Sequence, residues 1–288
     1  MEKDMLRKII LLFVSVSLIA AVSAGCKKKE SKGTVKLVYV EWDCATASAH
    51  VAKAVIEDRL GYTVEVIPVA AAAMWQSIGS GDADAMTTAW LPVTHAEYLG
   101  KVKKNVEDLG PNYKGAKLGL VVPSYVTINS LLELKDNMDK FKNQIIGIDP
   151  GAGMMIQTEK FMKSEKLNAK LIEGSGATMA AALKEAIDKK EWIVVTGWAP
   201  HWKFGRWDLK ILEDPKHAFG AEETINTVVR KGLKDDMPEV YNFLDKFYWD
   251  NEDISKVMVA NQEKGADLNK TAQQWVKDNK DKVDSWLK

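Results

Sequence analysis

Apolar positions along this chain switch repeatedly between two periodicities. Val35–Val40 (VKLVYV) and Thr63–Val69 (TVEVIPV) are short β-type runs, and Ala83–Ala89 is a third that ends at Trp90. Between them, Ala47–Leu60 carries Ala47, Val51, Val55 and Ile56 at helical spacing and is broken by Gly61-Tyr62. Ala72–Ile78 predicts a shorter helix, followed by a turn over Gly79–Asp82. The same order then returns. Gln144–Ile148 predicts a strand, Gly153–Glu165 a helix, Ala169–Ile172 a strand, Ala177–Asp188 a helix, and Trp192–Thr196 a strand that runs into Gly197-Trp198. Strands alternating with helices predict parallel sheets.

The recurrence is a duplication in register. Trp42 to Trp90 spans 48 residues, and Pro150 to Trp198 spans 48. Both copies put an Ala-rich helix (AAAAMWQSI, ATMAAALKEAI) before the last strand, and both close on a Trp with a Pro two residues later. Lys117–Val122, stopped by Pro123, lies between the copies. Thr224–Val229 follows the second, and a helical tail runs on to Lys288. The expected architecture is α/β, with two similar βαβ lobes joined by two hinge crossings and a ligand cleft between them. Residues 34–122 and 225–288 would form the first lobe, to which the tail returns, and residues 123–224 the second.

The N-terminus adds a compartment. Lys3, Arg7 and Lys8 precede an apolar run, Ile9–Val22, of about 14 residues, too short for a membrane span, which needs roughly 20. Small residues and Cys26 follow, so residues 1–25 read as a signal peptide and 26–33 as a charged tether. The Ala24-Gly25-Cys26 ending resembles a bacterial lipobox, with Cys26 the lipidated residue, although Ser23 stands where that pattern usually has Leu; the alternative is ordinary cleavage after Ala24. The expected location is outside the cytoplasm, lipid-anchored or periplasmic.

Charge and cysteine content narrow the chemistry. Forty basic residues balance 40 acidic ones, which leaves no electrostatic footprint for nucleic acid. Only Cys44 remains beyond Cys26, and no Cys/His spacing suits zinc, so neither a metal nor a cofactor is expected. Ten tryptophans are unusual for this length. In open parallel sheets, ligands bind beyond the carboxyl ends of strands. Four loops qualify: Glu41–Thr46, Trp90–His95, Asp149–Met154 and Trp198–Trp202. Three carry an indole, from Trp42, Trp90 and Trp198. Taken singly, each could simply cap a core; at equivalent loop positions, together they suit a quaternary ammonium, which donates no hydrogen bond and is held by aromatic faces. The glycine-rich loop Asp149–Met154 opens a helix whose free N–H groups attract anions, and it lacks the lysine of a nucleotide loop. His95, five residues past Trp90, is either structural or a donor to the same anion. A cation cage opposite an anion nest specifies a small zwitterion.

The segments YVEWD (39–43), AWLPVTH (89–95), LGLVVP (118–123), IIGIDPGAGM (145–154) and VVTGWAPHW (194–202) together resemble the glycine betaine substrate-binding proteins of bacterial ABC importers, over nearly all of residues 35–288. The resemblance implies the type II periplasmic-binding-protein fold and no enzymatic activity. It also implies a three-Trp prism (Trp42, Trp90, Trp198) around a trimethylammonium group. The carboxylate would be held by the backbone amides of Gly153 and Met154 and by His95. The implied partners are a betaine ligand and the permease subunits of an ABC transporter, with the binding protein a monomer. Choline, carnitine or proline betaine are alternative ligands, and ligand sensing without transport is an alternative role. An enzyme on a similar scaffold is disfavoured, because no cleft loop pairs a nucleophile with a base. The other tryptophans read as structural, Trp75 within a repeat helix and Trp192 within a repeat strand. Asp43 reads as a loop-bracing acceptor first, and for Arg206 a reach across the cleft is the alternative to a place in its own half.

Overall fold

A computed structural model describes residues 31–288; the expected signal peptide and Cys26 lie outside the described residues. The first repeat runs β1 (Thr34–Tyr39), α1 (Asp43–Val55, continued by one wider turn over Ile56–Leu60), β2 (Thr63–Pro68), α2 (Ala71–Ser80) and β3 (Ala85–Leu91). After α3 (Ala96–Val102) comes the long strand β4 (Val106–Pro123). The second repeat is β5 (Gln144–Ile146), α4 (Gly153–Glu165), β6 (Lys170–Ile172), α5 (Gly176–Lys189) and β7 (Val195–Ala199). Short α6 (Lys203–Arg206) and β8 (Leu209–Ile211) lead to β9 (Glu223–Arg230). The tail holds α7 (Leu233–Asp236), α8 (Pro238–Lys246), α9 (Asn251–Asn261), α10 (Leu268–Asp278) and α11 (Lys280–Trp286).

The repeat seen in sequence is a repeat of topology. β1 pairs in parallel with β2 and β3, giving the order β2-β1-β3. β5 pairs in parallel with β6 and β7, giving β6-β5-β7. Antiparallel β9 and β4 lie between the two sets, in the order β2-β1-β3-β9-β4-β7-β5-β6. Both Trp-x-Pro motifs place their proline after a cis bond, Leu91-Pro92 and Ala199-Pro200.

Local chemistry explains the breaks. Gly61 (φ 80°) and Gly81 (φ 82°) end α1's extension and α2 in the left-handed region, where side chains with a Cβ are disfavoured. Ser175 caps α5 through the Thr178 amide. Ala47, Val51, Val55 and Ile56 are all fully buried, as their helical spacing requires. The tail packs α9 and α10 on α1. There Trp249, Trp275 and Trp286 form a buried cluster in which Trp275 and Trp286 stack at 6.0 Å. Each such ring contributes on the order of 1.5–3 kcal/mol by leaving water.

Two expectations need correction, and the choice for Arg206 is decided. The strand forecast as Lys117–Val122 starts eleven residues earlier, at Val106. Gly110, Pro111 and Gly115 look like strand breakers, but β4 absorbs them by shifting register against β9 between Asp108/Gly110, Pro111/Tyr113 and Lys114/Ala116. As a result, residues 106–116 of β4 pair with β9, while 117–123 pair with β7 and β8. Trp192 is not in a strand; it precedes β7 and packs on Phe141 at 5.2 Å, with the Lys140 ammonium 4.7 Å over its ring. Arg206 stays in its own half, its guanidinium 5.8 Å from the rings of Trp202 and Trp207.

Candidate functional site

The carboxyl ends of β1 and β3 face those of β5 and β7 across one small cavity. Trp42, Trp90, Trp198, His95, Gly153 and Met154 all line it. Thr94, Leu118, Ile148 and Ala152 complete the wall. All three indoles are buried, with 3–6% of their surface exposed.

Each indole is held by a different element. Trp42 is the N-cap of α1, and its Nε1–H donates to Asp149 Oδ1 at 3.0 Å, a bond from the first repeat to the second. Trp90 is the penultimate residue of β3. Trp198 holds the same place in β7. Behind Trp198, the His201 ring packs edge-on at 4.6 Å and the Lys203 ammonium lies 4.4 Å from the indole centroid.

His95 is fully buried, and its tautomer follows from its neighbours. The Trp90 backbone N–H donates to His95 Nδ1 at 3.1 Å, so Nδ1 is the acceptor and the neutral ring carries its proton on Nε2. Burial pushes the His95 pKa down to about 3, so the ring stays neutral at ordinary pH. Nε2 is buried without a partner in the protein. A buried donor left unpaired costs about 1–3 kcal/mol, which an incoming acceptor would recover. The loop around it is fixed from β9. Glu223, itself buried, accepts from the amides of Val93 (2.6 Å) and Thr94 (2.9 Å) and from the Thr94 hydroxyl.

Opposite His95 stands the start of α4. Ala152 occupies the N-cap and no side chain caps the helix. The first-turn amides of Gly153 and Met154 have no intrahelical acceptor and sit at the positive end of the helix dipole. Gly153 is there because nothing larger fits: a Cβ would come within 2.4 Å of the Thr94 carbonyl oxygen and 2.5 Å of Thr94 Cγ2. Further bonds join the same two loops. Tyr98 donates its hydroxyl to Gly151 O at 2.7 Å, and Gln157 Nε2 reaches Thr94 Oγ1 at 3.4 Å. Lys160 pairs with Glu97 at 3.0 Å.

The arrangement offers indole faces, one neutral N–H donor and two backbone N–H groups around one small cavity. It offers little for bond making. Burial pushes the Cys44 thiol up to about 12, leaving it protonated and a poor nucleophile. Asp43, read from sequence as a brace, accepts from Gln262 Nε2 at 2.8 Å. Sequence reasoning missed Asp149 as the partner that orients Trp42, Glu223 as the anchor of the His95 loop, and buried Lys203 behind Trp198.

Known proteins resemble this chain along most of its length. The family described as the substrate-binding domain of the ABC-type glycine betaine transport system matches residues 33–278. The glycine betaine/carnitine transport binding protein of Listeria monocytogenes is 45% identical over 155 residues, 53% of this chain. That match covers 51% of the Listeria protein, so the chain spans about half the length of this curated relative. Among solved structures, the glycine/betaine/L-proline-binding protein of Borrelia burgdorferi superposes with a TM-score of 0.86 at 39% identity, covering 88% of this chain and 97% of that one. Lactococcal OpuAC, closed on glycine betaine, gives 0.84 at 44%, covering 89% and 100%. A choline-binding protein in complex with choline gives 0.81 at 25%, covering 88% and 91%. The fold is that of the type II periplasmic-binding proteins, and the chain belongs to the family of substrate-binding domains of ABC-type glycine betaine transport systems.

Proposed function

We propose that this chain captures glycine betaine, or a close betaine, by closing residues 34–122 with 225–288 against residues 123–224, and delivers it as a monomer to the permease subunits of an ABC importer for osmoprotectant uptake. In this reading, Trp42, Trp90 and Trp198 surround the trimethylammonium group. Each face contributes about 0.5–2 kcal/mol when desolvated. The carboxylate accepts from Gly153 N, Met154 N and His95 Nε2. No cofactor or metal enters the scheme. Delivery requires export, for which residues 1–25 are the proposed signal and Cys26 the proposed lipid attachment point.

The observation that carries the reading is the pairing of opposites in one cavity. Three indoles drawn from both repeats face an uncapped helix start and an unpartnered, neutral, buried imidazole N–H. Choline, the ligand of one structural relative, would fill the cage but leave the His95 donor and the helix amides without an acceptor. Carboxylate-bearing betaines are therefore favoured. The test is titration of intrinsic tryptophan fluorescence with glycine betaine, proline betaine, carnitine and choline. Saturable binding of the betaines with weaker choline supports the reading. Choline outcompeting glycine betaine, or no spectral response to any of the four, overturns it.

A further inference from the structure

Lys203 is the least expected side chain in the molecule. It lies at the start of a four-residue helix in a charged segment, yet it is fully buried and its Nζ has no hydrogen-bond partner. The ammonium packs 4.4 Å from the Trp198 ring centroid and 5.5 Å from that of Phe204. The titratable groups around it are Asp43 and Cys44, from the start of α1, and His201 of its own loop; of these Asp43 supplies the opposite charge, while the Cys44 thiol and the His201 ring are held neutral by burial. β4 brings only apolar Val121 to the adjoining Gly197. Asp43 and Cys44 belong to the first repeat, whereas Lys203, His201 and Trp198 belong to the second. His201 Nε2 stands 3.3 Å from Asp43 Oδ2 across the same junction. Separating the halves would remove Asp43 and Cys44 and admit water to the amine.

We propose that Lys203 is a positioning residue that couples ligand capture to proton release, entering its place behind Trp198 as the neutral amine when the halves close. The proposal rests on the reading that the halves close around a betaine. Two physical arguments carry it. An ammonium buried without hydrogen bonds is far more costly than an amine in the same place. A charged Lys203 on Trp198 would also draw on the same π quadrupole as the trimethylammonium and repel that cation through a low-dielectric wall. The proton goes to bulk solvent on closure and returns on opening.

The sign follows from linkage. Burial lowers the Lys203 pKa from 10.5 to about 7, with the Asp43 carboxylate offsetting part of the shift. Between those values the open form holds a proton that the closed form lacks, so raising the pH favours closure. His95 and His201, both pushed down by burial, act below this window, since their ordinary value is 6.5. Cys44, pushed from 9.0 up to about 12, acts with the opposite sign from about pH 9 upward, above the pH 7–8 range of the test.

The experiment is titration calorimetry with glycine betaine at pH 7 and pH 8, in buffers of different ionisation heat, on the wild type and Lys203→Met. The wild type should release close to one proton per ligand at pH 8 and bind about fivefold tighter there than at pH 7. Lys203→Met should release none and show no such gain. A second readout needs no variant: lysine ¹³Cε shifts in the ligand-bound wild type should reveal one amine titrating near neutrality. Binding without proton release, a variant that keeps the wild-type pH dependence, or no such lysine signal overturns the proposal while leaving the betaine reading intact. No binding of glycine betaine by the wild type would sink that reading, and this proposal with it.

Discussion

Gly153→Ala isolates closure from everything else the site does. The added methyl would lie 2.4 Å from the Thr94 carbonyl oxygen and 2.5 Å from Thr94 Cγ2, so a backbone atom of the opposite loop must move. Thr94 cannot yield easily, because Glu223 holds its amide and its hydroxyl. Within α4 the substitution is favourable, alanine being the better helix former by up to about 1 kcal/mol. The cost therefore falls on the closed form alone. Overpacking of this kind costs about 1–3 kcal/mol, which corresponds to roughly 5- to 150-fold weaker binding. Calorimetry with glycine betaine should show that loss, while the melting temperature of the ligand-free protein stays within a degree or two of wild type. Gly100→Ala is the control, since a Cβ there meets nothing within 4 Å. Wild-type affinity in Gly153→Ala would refute the claim that the Thr94–Gly153 approach is the closure contact.

Three further outcomes follow from the same geometry. Trp198→Ala should weaken glycine betaine binding at least tenfold by titration calorimetry, through loss of one face of the cage. Asp149→Ala frees the indole N–H of Trp42, now bonded at 3.0 Å, and should raise the dissociation constant for glycine betaine roughly 5- to 100-fold, with thermal stability little changed. His95 is held neutral far below its unfolded value of 6.5, so between about 3 and 6.5 the unfolded chain binds a proton that the native state does not. Its contribution is thus complete above pH 6.5 and lost as the pH falls, by up to about 1.4 kcal/mol per unit. Chemical denaturation from pH 7 down to pH 5 should show this slope, and His95→Phe should make it shallower by about one proton's worth, with the share of buried His201 and His50 remaining.

How much of this was legible in the sequence depended on the kind of signal. The repeats stood out because Gly61, Gly81 and the two Trp-x-Pro endings punctuate them, and the bounds of α4 match those read from sequence. The three indoles stood out because tryptophan is rare and sits at strand ends. Leu118 and Ile148 line the same cavity but, as apolar residues of predicted strands, are not separated from core by their type or spacing. The first half of β4 was hidden because glycine and proline mark turns locally, whereas register shifts against β9 are decided by pairing more than 100 residues away. Lys203 was hidden by its context: in HWKFGR a lysine looks like any solvated helix residue, and nothing in that stretch signals that its Nζ packs on the rings of Trp198 and Phe204.

That burial bears on why a duplicated scaffold should carry an unsymmetrical site. The offset that maps Trp90 onto Trp198 and Pro92 onto Pro200 also maps His95 onto Lys203 and Trp42 onto Pro150. Equivalent loops thus begin alike and then diverge. On the proposed reading the ligand is a zwitterion with unlike ends, so two identical jaws would present the wrong chemistry to one of them. In the first repeat the loop after β3 turns a neutral N–H donor into the cavity wall. In the second, the matching position places an amine behind the indole instead of in the wall. Trp42 gives way at its equivalent to the Pro150 turn, which leads into the uncapped start of α4. Exchanging the divergent pair, His95→Lys with Lys203→His, keeps composition constant but replaces the rigid N–H donor of the cavity wall with a long, flexible amine at a fully buried position and removes the amine packed on Trp198. Growth of a betaine-dependent strain under salt stress, with calorimetry on the purified protein, should show binding reduced well beyond either single change. Wild-type affinity in the exchanged protein would mean that the loops are interchangeable and that their divergence has no bearing on the ligand.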